Sequence, residues 1–158
     1  MTAPVSAVRR WIGRTVVLAA LLLGARGAEA QINVSGNPPT LRIQSATIPG
    51  GQLAPATDNT TTYTIFVFSW GRGNQKNIVA QLNAPMPAGT TLSVMLEAPQ
   101  TGTSTGLVPL STTAQNVITG MTIAIATKAI TYQFQATPAA GVIPPQSRTV
   151  TFTVVSGA

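Results

Sequence analysis

The sequence predicts an all-β protein: a single antiparallel β-sandwich of about 7–9 strands, immunoglobulin-like in the broad sense, behind an N-terminal secretory signal. Three observations carry this. Val, Ile and Thr recur with period two along most of the chain. Clusters of Gly, Pro and Asn punctuate those runs at sandwich-like intervals. No segment shows the 3.6-residue apolar period of a helix.

The elements follow in chain order. Residues 1–30 read as a signal peptide: Arg9, Arg10 and Arg14 give a basic start, Thr15 to Ala25 an uncharged apolar run, and Ala28-Glu29-Ala30 the small residues a signal peptidase reads. Cleavage is expected between Ala30 and Gln31. The apolar run is roughly half of the ~20 residues needed to span hydrocarbon, so a retained anchor is not expected. Arg9-Arg10 followed by Trp11-Ile12-Gly13 fits the twin-arginine pattern in part, and both that route and the general secretory route stay open. Of the net charge of +6, half belongs to this segment, where Arg9, Arg10, Arg14 and Arg26 stand against Glu29.

Residues 31–158 form the predicted sandwich domain, with no linker and no internal repeat. Thr, Ser, Asn and Gln supply 47 of these residues and only seven are charged. A disordered chain is poor in β-branched residues and rich in charge, the opposite of this one. Residues 32–34 predict a short strand and Thr40–Gln44 another. Tyr63–Trp70 is apolar on both faces, which places it inside a sheet with its second surface covered by a loop or a partner. Ile78, Ala80 and Leu82 share one face, as do Leu92, Val94 and Leu96, then Ile130, Tyr132, Phe134 and Ala136, and finally Val150, Phe152 and Val154. Shorter strands are expected at Leu107–Leu110, Asn116–Thr119 and Met121–Ala126. Such alternation describes strands with one face on a core and one in water.

Chemistry-bearing residues are scarce. The chain has no His and no Cys, and Asp+Glu number 3. This removes the usual general base, the thiol nucleophile, disulfides and the commonest metal ligands, so no catalytic residue, metal or cofactor is expected. Asp58-Asn59-Thr60 suits an Asx-turn. Glu97 falls on the polar face of its strand. Gly71-Arg72-Gly73 lacks the third Gly and the following helix of a dinucleotide loop, and reads as a hairpin turn. Arg72 and Lys76 are too few for a nucleic-acid surface. Asn33-Val34-Ser35 and Asn59-Thr60-Thr61 match the glycosylation triplet, which a chain this rich in Thr and Asn makes by chance. Trp70, beside the glycine turn, is the leading candidate for stacking on a sugar, followed by Tyr63, with Arg72 at the same tip. The competing assignment puts Trp70 in the core with Phe66 and Phe68.

The C-terminal hairpin, Ile130-Thr131-Tyr132-Gln133-Phe134-Gln135-Ala136 with Arg148-Thr149-Val150-Thr151-Phe152-Thr153-Val154, resembles the closing strands of bacterial secreted pilin-like and spore-coat-U-like domains. The chain departs from that pattern in lacking a Cys pair and a long donor strand, since only Ile32 and Val34 precede Asn37-Pro38-Pro39. The resemblance implies an exported structural subunit. Together these features predict a secreted, periplasmic or cell-surface protein with a structural or adhesive role. Its expected partners are itself or other surface proteins through sheet edges, or polysaccharide, with no nucleic acid and no membrane span after cleavage. A carbohydrate-binding module using Trp70 is the alternative.

Overall fold

The structure, a computed structural model, describes residues 30–37, 39–43, 53–69 and 74–157. The predicted signal, apart from Ala30, lies outside them, as do Trp70 and Arg72. The strands are β1 (Ala30–Ser35), β2 (Ala56–Phe68), β3 (Lys76–Leu82), β4 (Thr90–Leu96), β5 (Thr103–Ser104), β6 (Val108–Pro109), β7 (Gln115–Met121), β8 (Ile123–Ala136) and β9 (Val150–Ser156). A 3-10 turn at Pro138–Ala140 is the helical element among the described residues. No helix there is long and apolar enough to cross a membrane.

Two antiparallel sheets result, ordered β1-β2-β8-β4-β6 and β5-β7-β3-β9. Their inward residues meet in one apolar cluster that includes Tyr63, Ile65, Val67, Ile78, Val94, Leu96, Ile118, Met121 and Ile130, all with no solvent exposure. The period-two pattern produces this directly, because alternate side chains of each strand fall on one face. The inward sets expected for β3, β4 and β9 are those observed, as are Ile130 and Tyr132 of β8; Phe134 and Ala136 share that side of β8 but lie outside the core cluster. Those of β9 (Val150, Phe152 and Val154) are only half-buried against the cluster.

β2 carries a bulge. Asp58 pairs with Tyr132 and Thr61 with Ile130, so β2 has one residue more than β8 across this step. The extra residue shifts the inward set from Ala56 and Asp58 to Thr61, Tyr63, Ile65 and Val67. Asp58 stabilises the irregularity: its Oδ1 accepts from the Thr60 N–H at 3.1 Å and the Thr60 hydroxyl at 3.0 Å. The Asx-turn expected from sequence is thus set inside a strand.

Several expectations are corrected. Residues 40–43 form no strand; Leu41 packs on the core without a ladder partner. The Met121–Ala126 and Ile130–Ala136 segments are not two strands, because Met121 ends β7 and β8 runs unbroken from Ile123 to Ala136. The last two strands are not a hairpin. β8 pairs with β2 and β4, whereas β9 pairs with β3 in the other sheet. Phe66 and Phe68 are not core residues: they are 42% and 45% exposed on the outer face of β2.

Candidate functional site

The two described carboxylates are each engaged locally. Asp58 holds its own bulge. Glu97 follows β4 and forms an ion pair with Lys128 of β8, Nζ to Oε1 at 2.6 Å, on the protein surface. That contact, together with the Ala129 backbone hydrogen bond and the Lys128 charge, lowers the Glu97 pKa. The carboxylates stand on opposite neighbours of β8, Asp58 opposite Tyr132 and Glu97 bonded through its N–H to the Ala129 carbonyl. No group of three or more His, Cys, Asp or Glu able to hold a metal occurs among the described residues.

Of the sequence-predicted site residues, Tyr63 lies wholly in the core, with its ring covered on both sides. Its hydroxyl donates to the Glu97 carbonyl at 2.6 Å. Burial first, and the Glu97 charge second, push its pKa up to about 12. Trp70 and Arg72 fall between Ser69, whose hydroxyl donates to the Asn74 carbonyl, and Asn74 itself. Ala30 and Gln31 open β1, opposite Val67 and Phe66.

The structure brings Phe66 and Phe68 together with two residues of β8 to which the sequence assigns no role, Ile123 and Ile125. Phe66 faces Ile125 across the β2–β8 ladder, and Phe68 faces Ile123. All four side chains emerge on the outer face of the five-stranded sheet, Ile125 being 70% exposed. The Phe66 and Phe68 rings lie 6.5 Å apart at an interplanar angle of 10°. The row above them is polar: Asn33, Thr64 and Thr127 lie side by side, with the two threonine hydroxyls hydrogen-bonded at 2.9 Å. The signal was present in the sequence, since residues 63–70 are apolar on both faces. What hides such a second face cannot be deduced from one strand.

The chain matches no protein-family model, no curated protein and no solved structure.

Proposed function

We propose that this chain is an exported, non-catalytic structural or adhesive protein of the cell surface or extracellular matrix, an immunoglobulin-like sandwich working as a fibre or matrix subunit after removal of residues 1–30. The observation that carries the reading is the apolar group Phe66, Phe68, Ile123 and Ile125 on an otherwise Thr-rich sheet face. Contiguous exposed apolar surface is a mark of contact with other molecules. The lack of any His or Cys in the chain supports contact rather than turnover. Cleavage after Ala30 would leave Gln31–Ser35 paired with β2, so processing and the fold are compatible.

Deletion of the gene, followed by electron microscopy of the cell surface and an attachment assay, tests this reading. Loss of filaments or attachment is expected, restored by the wild-type chain but not by a folded Phe66→Ser, Ile125→Ser variant. N-terminal sequencing of the exported protein should begin at Gln31. A second reading, carbohydrate binding, is favoured by the stacked Phe66–Phe68 pair. Retention of a soluble monomer on one insoluble polysaccharide, with normal attachment in the deletion strain, would replace the first reading by the second.

A further inference from the structure

The four-stranded sheet ends on β9, and the ladder determines which of its backbone groups face outward. Asn83 N–H donates to the Thr149 carbonyl just before the strand, and Gly157 N–H donates to the Gln75 carbonyl just after it. In an antiparallel pair hydrogen-bonded and non-hydrogen-bonded positions alternate. The odd-numbered residues of β9 therefore bond to β3, and the N–H and C=O groups of Val150, Phe152, Val154 and Ser156 point off the sheet. All seven residues of β9 pair with β3 in unbroken register.

Among the described residues β1 of the other sheet approaches this edge without pairing to it, and the strand itself carries none of the usual protections. Natural edge strands are blunted by shortness, charge, Pro or bulges. At the opposite edges of the two sheets, β5 and β6 are 2 residues each and β6 contains Pro109. β9 is 7 residues long, regular, and free of charge and Pro. Its inward side chains Val150, Phe152 and Val154 are only partly buried against the core, on the edge from which the strand's hydrogen-bonding groups point away from the sheet.

The occupant that fits is β9 itself. Antiparallel pairing about a two-fold axis at Thr153 sets Val150 opposite Ser156 of the second copy and Phe152 opposite its Val154. In that register every outward-pointing N–H and C=O of the strand meets a partner. The half-covered Phe152 and Val154 then close over one another on the inner face. Among the described residues no like charges face one another across the pairing. The cations beside the strand are Lys76, which pairs with Ser156 and reaches its hydroxyl at 3.5 Å, and Arg148, held by the Pro85 carbonyl and Gln146. In the paired state the two copies of Lys76 lie about 20 Å apart along the strands, and those of Arg148 about 34 Å, at 3.4 Å per residue, well beyond the ~8 Å Debye length. We propose that β9 pairs with β9 of a second copy, joining two four-stranded sheets into one continuous sheet with Thr153 at its two-fold. This pairing rests on the reading that the protein acts by association, and it specifies the edge, the partner and the register.

The absence of Cys from the chain makes the test direct. Thr153 is exposed and sits opposite its own copy at a non-hydrogen-bonded position, where Cβ atoms come closest. Under mild oxidation Thr153→Cys should give a disulfide-linked dimer many-fold faster than Thr151→Cys, because Thr151 faces Val155 of the second copy. Thr153→Lys sets two ammonium groups face to face without touching the core. It should remain monomeric at concentrations where the wild type dimerises, with dimer partly restored by salt. A short edge-to-edge contact predicts micromolar association, so sedimentation equilibrium up to about 0.1 mM is the range to use. A wild-type monomer throughout that range overturns the pairing. So does equal cross-linking of the two Cys variants, or a dimer unaffected by Thr153→Lys. Pairing is read on the purified protein and attachment on cells, so either can fail alone.

Discussion

The hydroxyl of Tyr63, on β2, donates to the carbonyl oxygen of Glu97 at the end of β4, at 2.6 Å, bridging the strand that separates them. A ring with no exposed surface thus both fills the core and ties two non-adjacent strands. The two contributions can be separated. Tyr63→Phe keeps the ring and removes the hydrogen bond, and should cost about 1 kcal/mol in urea unfolding. Tyr63→Ala also opens a cavity and should cost about 3–5 kcal/mol. Equal losses in the two variants would show that the hydroxyl, not the ring, dominates at this position.

The same hydroxyl gives the protein an alkaline limit. Both tyrosines of the chain have pKa values pushed up to about 12, Tyr63 by burial and then the Glu97 charge, Tyr132 by burial and then the Asp58 charge. An unfolded tyrosine titrates near 10. The folded state therefore holds these protons more tightly than the unfolded state does. Their contribution is complete below about pH 10 and is lost as pH climbs from about 10 to about 12. With no His, stability should be nearly flat across neutrality. Thermal midpoints measured alongside near-ultraviolet phenolate absorbance should fall together in the alkaline window, and Tyr63→Phe should shrink the fall. A steep change between pH 6 and pH 8 would contradict this account.

The degree to which the sequence anticipated these features varies with the physics of each. The inward sets of β3, β4 and β9 were legible because strict alternation has one interpretation once a core exists. β8 broke the pattern at Lys128, an inward-side position whose side chain reaches out to Glu97, so a 14-residue strand looked like two. The first half of β2 was hidden for a related reason. Asp58 and Asn59 are turn formers, and here they build a bulge within a strand rather than ending it. Residues 40–43 show the reverse case, since the alternation around Leu41 meets no partner strand among the described residues. The apolar second face of β2, expected to lie under a loop or a partner, carries Phe66 and Phe68, and their exposure argues against the assignment that puts them in the core with Trp70.

The Lys128–Glu97 pair is short but lies at the surface, and exposed pairs contribute little because water screens them and ordering two long side chains costs entropy. Glu97→Gln should leave the unfolding midpoint nearly unchanged at neutral pH, and added salt should erase what difference there is. The Glu97 pKa is lowered by the pair, so its small contribution is present above the ordinary carboxylate range and disappears as pH falls through the folded value. A strong, salt-independent loss in Glu97→Gln would mean that the side chain orders the Glu97 backbone for the Tyr63 hydroxyl.

Gly102 and Gly106 flank β5 and offer a paired test of how tightly this end of the sandwich is packed. Both have positive φ, +135° at Gly102 and +81° at Gly106, so an L side chain is strained at either. Only Gly102 is also crowded. A Cβ there would lie 2.7 Å from Cγ of Met121 and 3.3 Å from Cγ2 of Ile118, both fully buried, whereas nothing lies within 4 Å of one at Gly106. Gly106→Ala should therefore cost the backbone contribution alone, about 1 kcal/mol. Gly102→Ala adds overpacking of the core, for a combined loss of about 3 kcal/mol. Chemical denaturation with matched m-values checks the difference. Equal losses would mean that Met121 relaxes away from the added methyl, and that the core beneath β5 is looser than its complete burial indicates.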